Sequence, residues 1–512
     1  MSTINNPYYQ QQVPPQIGKG PMTQPPMPPR GRWRGNVRER INTYFPRSMA
    51  NFAVGAYLIA LLGISSVYSS YAMNWYWWLF GIVGVLGFFY LSFFLGKKWE
   101  KTKGNLFERR VFWTGVGIRV IMVLILYWFF NEMTGKPFMF ESADEKFYHE
   151  MGEWMANSLR EGNWNGFWDW TRENVELSDS GFPMFTGIVY YLADNSIIVL
   201  RLFNCVWSAW TCVLLYKLGR RNFGESAGRM AAIFFMLEPH YIIYCGLHLK
   251  ETLMVFLMVL FLERADSLLR SRTFKIWEIL PIFLVMVSLY LFRTVLGISA
   301  TLGLAMALLF SSQKVASLGR RWLLLIAIIF GASLFVGGRI MSELETLWNR
   351  KDSNQELRMT TIQRSQSLAK YASKTVLAPM IFTIPFPTMV ETLGQDNHRM
   401  LHAGYVVKNV MSFFCIAAIV FLLLNSGSNG WRNNVLLGAF LISYLLILVQ
   451  SAFVHADRFH LPAYVVELLF AAYGVQQMAK TKHKRWFLFW CVLMVVAWFA
   501  WSWFKLAGRG LA

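Results

Sequence analysis

Charged residues are scarce in this sequence. Only 15% of the 512 residues are Asp, Glu, Lys or Arg, while 55% are hydrophobic. A soluble globular domain carries about 25% charged residues. Apolar runs close to the roughly 20 residues that a membrane-spanning helix needs recur along the chain. This composition excludes an ordinary soluble domain and predicts a polytopic membrane protein.

Cysteine is also rare, and none of the five cysteines belongs to a CxxC pair. All five lie within or at the edge of apolar segments: Cys205, Cys212, Cys245, Cys415 and Cys491. Their spacing indicates neither a zinc site nor a disulfide framework. We therefore predict no metal site and no cofactor, since a divalent metal has no support in the sequence.

Acidic residues are fewer than basic ones, 29 against 49, which gives a formal net charge of +20. A basic protein can attract the phosphates of nucleic acid. Here, however, Lys and Arg concentrate in short loops between apolar runs, as in loops kept on the cytoplasmic side of a membrane. We therefore predict contacts with membrane lipids and none with nucleic acid.

The apolar runs predict an all-α polytopic protein with about thirteen transmembrane helices. They lie near 51–72, 75–95, 112–130, 196–217, 227–245, 250–265, 276–294, 297–311, 322–339, 406–424, 435–452, 461–478 and 486–504. With a cytoplasmic N-terminus, five of the six even-numbered connections are rich in Lys or Arg, as the positive-inside rule requires. This predicts a multi-pass protein of the cell membrane, in a bacterium the inner membrane.

The predicted spans divide the chain into five regions. Residues 1–49 form a polar, Pro- and Arg-rich tail, which lacks the apolar core of a cleavable signal peptide and is expected to be disordered and cytoplasmic. The other regions are a hairpin of spans with a basic loop (50–110), the main transmembrane region (111–339) with a long outer loop at 131–195, a second long outer loop (340–405), and the C-terminal spans (406–512).

The densest acidic cluster follows the third span, in FESADEKFYHEMGEW (140–154). Asp144 and Glu145 are predicted to lie at the outer membrane surface, with Tyr148 and His149 one helical turn onward. A carboxylate placed there can accept a proton from a hydroxyl nucleophile, as a general base does. The alternative is an amphipathic helix whose acidic face is merely solvated, and spacing alone does not separate the two.

Several weaker motifs follow in a definite order. They are Phe182-Pro183 in a surface helix, Arg201-Leu202 at the entry of a span, Gly219-Arg220-Arg221 in a cytoplasmic turn, Lys250-Glu251 at the start of a later span, and HADRFHLPAY (455–464) near the end. With this order and topology the chain resembles the membrane-embedded glycosyltransferases of the GT-C class, in particular bacterial relatives of the dolichyl-phosphate-mannose protein mannosyltransferases and of the aminoarabinose transferases.

The resemblance covers roughly residues 112 to 310 and returns at HADRFHLPAY. The first two spans precede the usual start of the family and look like an added hairpin. The Pro-Pro pair of the family is the single Pro183 here, and its second outer acid appears as Lys250-Glu251. The residues that contact the donor are therefore less firmly placed than Asp144.

The resemblance implies a GT-C fold and an inverting glycosyl transfer on the extracytoplasmic side. The donor would be a sugar linked to polyprenyl phosphate, and the acceptor a hydroxyl group of a protein, lipid or glycan. Asp144 would act as the general base, and Glu145 would orient it or share its proton.

The leaving lipid phosphate needs positive charge, and ionisable residues at the membrane edge are usually functional. Four cations lie near outer ends of spans: Arg201, Lys250, Arg293 and Arg458. Together with Tyr148, His149, His248, Glu251 and His460 they are the predicted substrate-binding residues. The alternative for each cation is a side chain that snorkels at a helix end.

Two other functions stay open. A polymerase or ligase of lipid-linked glycan repeat units would rely on basic residues of the second outer loop, such as His398 and Arg399. A transporter or flippase of lipid-linked sugar would place its charged residues along a path through the bundle. The acidic residues here gather near the outer surface, and no internal repeat of fixed period is visible, which disfavours a transporter.

Overall fold

The computed structural model describes residues 44–163, 177–271, 276–310, 381–424, 430–450, 457–480 and 484–511. Within these ranges the chain is helical and forms no β-strand beyond an isolated bridge between Ala72 and Val390. The helices are α1 (Arg47–Val67), α2 (Trp75–Trp99), α3 (Gly104–Thr134), α4 (Ala143–Arg160), α5 (Leu177–Ala193), α6 (Ile197–Phe223), α7 (Glu225–Leu237), α8 (Pro239–Ile243), α9 (Glu251–Arg270), α10 (Ile276–Phe292), α11 (Thr294–Phe310), α12 (Asp396–Met400), α13 (His402–Leu424), α14 (Val435–Gln450), α15 (Asp457–Lys480) and α16 (Lys484–Ala507).

Seven helices in the described part of the chain are long and apolar enough to cross a membrane. They are α1, α2, α3, α6, α13, the segment Trp431–Val449 that includes most of α14, and Arg485–Ala507 of α16. The prediction of an all-α protein with several membrane-spanning helices is thereby confirmed. Two further apolar helices, α10 and α11, are shorter, and the span predicted at 322–339 lies outside the described residues, so the count of thirteen stays a prediction.

The predicted span 227–245 consists of two helices separated by a break. Helix α7 ends at Leu237, and α8 begins at Pro239, the position in a helix where the missing N–H of proline matters least. The Glu238 carboxylate accepts a hydrogen bond from the N–H of Tyr241 at 3.1 Å and so caps α8. The break places the C-terminal end of α7 inside the bundle.

A buried arginine satisfies the carbonyl groups at this break. Arg119 of α3 is fully buried and donates to the carbonyls of Phe235 and Met236, each at 3.2 Å, and to Ser208 Oγ at 2.7 Å. The last carbonyls of a helix have no partner within the helix, and a cation is favourable at that end. Arg119 therefore ties α3 to the interrupted helix and has a structural role.

Close backbone packing joins α13 and α15, the helix that contains the segment DRFHLPAY (457–464). A Cβ atom at Gly474 would lie 1.9 Å from the carbonyl oxygen of Phe414, a distance that no side chain tolerates. Glycine at this position thus lets α15 approach α13.

Two amphipathic helices, α4 and α5, pack on each other in the loop between α3 and α6. The Ser142 hydroxyl accepts a hydrogen bond from the N–H of Glu145 at 3.2 Å and caps the first turn of α4. Tyr148 and Met151 belong to the buried face of α4, whereas Glu150 is exposed. This arrangement fixes the orientation of the first turn of α4, which carries Asp144.

Candidate functional site

Asp144 and Arg458 form an ion pair, although 314 positions separate them in the sequence. Asp144 lies in the first turn of α4 and Arg458 in the first turn of α15. Nη1 of Arg458 donates to Oδ2 of Asp144. The two side chains are 45% and 35% exposed, so the pair is accessible at the surface of the protein. The predicted base and a predicted phosphate ligand therefore meet.

A second pair lies beside the first. Arg293, between α10 and α11, has its Nη2 at 3.4 Å from Oε1 of Glu251, the first residue of α9. The guanidinium carbons of Arg293 and Arg458 lie 4.2 and 5.4 Å from the centroid of the same Phe459 ring. Cations pack favourably on an aromatic face, and this ring holds both arginines in one site.

The Arg293–Glu251 pair has unused hydrogen-bonding capacity. Nη1 of Arg293 and Oε2 of Glu251 are buried and have no hydrogen-bond partner among the described residues. Buried polar atoms in native proteins nearly always have a partner, including water or a ligand. Glu251 also lines a small cavity with Tyr241, Tyr244 and Leu461. These atoms are the natural contacts for a polar ligand or a water.

A third pair joins Lys250 to Asp179. The Lys250 ammonium donates to the Asp179 carboxylate and, at 3.1 Å, to the carbonyl of Ser178, while the Tyr148 hydroxyl donates to Asp179 Oδ1 at 3.0 Å. Burial raises the pKa of the Asp179 carboxyl, but Lys250 and these hydrogen bonds outweigh burial and leave the pKa below its ordinary value. Asp179 is a site residue that the sequence analysis missed.

The site balances its charges, because three cations lie among three carboxylates, and Arg458 is close to Glu251 as well as to its partner Asp144. The Lys250 and Arg293 side chains are only 8% and 9% exposed, whereas the Arg458 side chain is four times as accessible. Among the three cations of this cluster, Arg458 thus has the most exposed side chain.

Glu145 faces different surroundings from its neighbour Asp144. Its carboxylate is fully buried and accepts hydrogen bonds from the N–H of Met139, at 2.7 Å, and from the N–H of His248. Burial raises the pKa of the Glu145 carboxyl, against the opposing effects of Arg201 and these N–H groups. The Glu145 carboxylate therefore anchors α4 to the segment before α9.

Arg201 supports the same anchor. It is fully buried in α6, donates to the carbonyl of Pro137 and lies 3.9 Å from Oε1 of Glu145. Through these two contacts Arg201 holds the turn between α3 and α4 and the first turn of α4. The structure thus places Arg201 with Glu145, apart from the three ion pairs.

The predicted histidines occupy three different environments. His149 Nδ1 lies 2.7 Å from the Tyr190 hydroxyl, and burial lowers the pKa of the His149 ring. The His248 ring is buried among aromatic rings, including that of His149 at 5.8 Å. His460 Nδ1 lies 3.0 Å from Nζ of Lys408, a buried lysine of α13 that the sequence analysis did not select.

The basic residues named for the polymerase alternative belong to a separate group. Arg399 is buried and donates to the carbonyl of Thr392 and to Asp396, both at 2.7 Å. His398 Nδ1 lies 3.2 Å from the Tyr405 hydroxyl. The contacts of Arg399 stabilise the segment around α12, and the contact of His398 joins this segment to the start of α13. Both residues therefore have a structural role.

No group of three or more His, Cys, Asp and Glu side chains suited to a metal ion occurs within the ranges that the structure describes. The predicted absence of a metal stays a prediction. Comparison with protein-family models and with curated proteins finds no match to this chain.

Proposed function

We propose that the protein is an integral-membrane glycosyltransferase that moves a sugar from a polyprenyl-phosphate donor to an acceptor hydroxyl. The reaction takes place on the extracytoplasmic side of a cell membrane, the inner membrane in a bacterium. The observation that carries the proposal is the contact between Asp144 and Arg458, together with the cations and carboxylates around it. Transfer from a lipid phosphate requires a base and a phosphate ligand within one sugar's length of each other, and this cluster supplies both.

The acceptor hydroxyl attacks the anomeric carbon on the face opposite the lipid phosphate. The new bond joins the acceptor oxygen to that carbon, and the bond from the carbon to the phosphate oxygen breaks. The phosphate leaves with the bonding electrons, and Asp144 takes the hydroxyl proton. The configuration at the carbon inverts, and the products are the glycosylated acceptor and the polyprenyl phosphate.

Two of the three cations, Arg458 and Arg293, are assigned to the donor phosphate, whereas Lys250 is assigned a structural role. Arg458 is accessible and binds the donor phosphate, because a guanidinium holds phosphate oxygens through two parallel hydrogen bonds. Arg293 lies on the same Phe459 ring and donates from its unpaired Nη1 to the leaving oxygen. Lys250 is held by Asp179 and Ser178 and sets the position of α5 against α9. Tyr148 lines the site through its bond to Asp179.

A donor assay tests this proposal. Membranes that contain the protein are supplied with sugars on polyprenyl phosphate or on nucleotides, and the label transferred to endogenous acceptors is counted. We expect transfer from the lipid-linked sugar alone. Arg458→Ala should weaken donor capture by about 1.5–3 kcal/mol, roughly tenfold to 150-fold in Kd, because a charge-assisted contact is lost.

Arg109→Ala is the matched control, because Arg109 is an exposed arginine of α3 outside the cluster. It should leave donor capture unchanged. Transfer from a nucleotide sugar, or equal donor capture by the Arg458 and Arg109 variants, contradicts the proposal.

A further inference from the structure

The carboxylate assigned as the base is engaged in an ion pair in the structure, because Arg458 donates to it. We infer that Arg458 masks Asp144, which means that the ion pair keeps the carboxylate from acting as a base, until the donor phosphate binds Arg458 in place of Asp144. Donor binding therefore precedes activation of the acceptor. This inference rests on the proposed function and adds an order of events to it. The ligand that unmasks the base is a phosphodiester with one negative charge on a polyprenyl chain.

Of the three ion pairs, the Asp144–Arg458 pair is the one in which a phosphate can most easily replace the carboxylate, because both of its side chains are accessible. Exposed ion pairs contribute little to stability, and both partners here are more than one-third exposed. The Lys250–Asp179 and Arg293–Glu251 pairs each contain a cation that is less than one-tenth exposed. An arriving phosphate therefore displaces Asp144 more easily than it displaces Asp179 or Glu251.

Both partners keep favourable surroundings after they separate. Asp144 lies in the first turn of α4, where the N-terminal end of the helix stabilises a negative charge. The Arg458 guanidinium lies against the Phe459 ring, which attracts a cation whether or not Asp144 is present. Exchange of the carboxylate for a phosphate therefore leaves neither residue without a stabilising contact.

The charge balance explains why the exchange favours proton transfer. Without donor, the three cations and three carboxylates of the cluster cancel. The bound phosphodiester adds one negative charge and removes the counter-ion of Asp144. Asp144 neutralises this added negative charge when it takes the proton of the acceptor hydroxyl. The donor thus creates the electrostatic conditions for the base to act.

Carboxyl labelling tests the inference without knowledge of the acceptor. The full-length protein in phosphatidylcholine nanodiscs is treated with a water-soluble carbodiimide and an amine, and labelled positions are quantified by mass spectrometry. The probe is polyprenyl methyl phosphate, a phosphodiester with the charge of the donor and no sugar. Glu150, an exposed carboxylate of the same helix, is the internal reference.

We expect the probe to raise labelling of Asp144 relative to Glu150 by roughly two- to fivefold, the range for release of an exposed ion pair. In Arg458→Gln, labelling of Asp144 without the probe should be higher than in the wild type, and the probe should not change it. Phosphatidylglycerol, added in the same amount, should have no effect in the wild-type protein.

Three other results overturn the inference. If the probe binds, measured with radiolabelled probe, but labelling of Asp144 stays constant or falls, the base is not masked, and the proposed function still stands. An equal response to phosphatidylglycerol would show that any membrane phosphate releases Asp144. If the probe does not bind at all, the donor site fails, and the proposed function fails with it.

Discussion

Substitution of Glu145 by glutamine should destabilise the protein rather than act on the chemistry alone. The Glu145 carboxylate is fully buried and serves two N–H groups, those of Met139 and His248, with Arg201 at 3.9 Å. Glutamine offers one carbonyl oxygen where two N–H groups need an acceptor, and a buried donor without a partner costs about 1–3 kcal/mol. Arg201 also loses its nearest carboxylate, and breaking a buried pair costs about 3–5 kcal/mol.

We therefore expect Glu145→Gln to lower the free energy of unfolding by about 3–5 kcal/mol, measured by denaturant unfolding in micelles. Glu150→Gln, on the exposed face of the same helix, should stay within about 0.5 kcal/mol of the wild type. The double variant Glu145→Gln/Arg201→Met should be less destabilised than the sum of the single variants, because it removes both members of the pair. Wild-type stability of Glu145→Gln combined with a loss of transfer would refute this reasoning and give Glu145 a part in the reaction.

Three further predictions concern other contacts of the fold and the site. Gly474→Ala forces a methyl group against backbone and should cost about 1–3 kcal/mol of unfolding free energy, whereas Gly438→Ala, which meets no atom within 4 Å, should be neutral in the same measurement. Arg119→Met leaves buried carbonyls unpaired and should lower the melting midpoint in micelles well below that of Arg109→Met; equal midpoints would contradict the structural role. The lowered pKa of Asp179 means that its contribution to stability is present above its unfolded pKa of about 3.9 and is lost as the pH falls through the folded value. Asp179→Asn should therefore weaken the loss of stability on acidification between about pH 5 and 2, and an unchanged acid profile would contradict the Lys250 contact.

The sequence predicted the local features of the site better than its contacts. The sequence analysis selected Asp144 from an acidic cluster after the third span, and it selected Arg458 and Arg293 as cations near span ends; in the structure Asp144 lies in the first turn of α4. Their convergence on one Phe459 ring depends on how α15 packs on the other helices, which no local pattern records. The pairing of Asp144 with Arg458 could therefore not be predicted from the sequence.

Adjacent residues on a helix differ in direction by about 100°, and this explains the separation of Glu145 from Asp144. The sequence analysis treated the two as one acidic pair, whereas the structure buries Glu145 and exposes Asp144. The role of Glu145 in orienting the base stays a prediction, and its direct contacts are those of an anchor.

Some residues were missed for identifiable reasons. Arg119 lies inside the predicted span 112–130, and a charged residue at membrane depth is by itself a signal of a specific partner. Asp179 lies only four residues before Pro183, in the first turn of α5, but its importance depends on Lys250, 71 positions away. Lys408 is likewise a charged residue inside a predicted span, the one at 406–424. A search for ionisable residues within spans, rather than at span ends, would have found both Arg119 and Lys408.

The central claim is that Asp144 acts as the base in transfer from a lipid-linked sugar, and Asp144→Asn tests it most directly. Initial rates of sugar transfer from the polyprenyl-phosphate donor are compared for the wild type, Asp144→Asn and Glu150→Gln, with donor binding measured separately. A positioned base contributes about 10²- to 10⁴-fold, so Asp144→Asn should lose that factor in turnover while it binds donor no more weakly, and Glu150→Gln should transfer at the wild-type rate. Near-normal turnover in Asp144→Asn, with donor bound, would contradict the account.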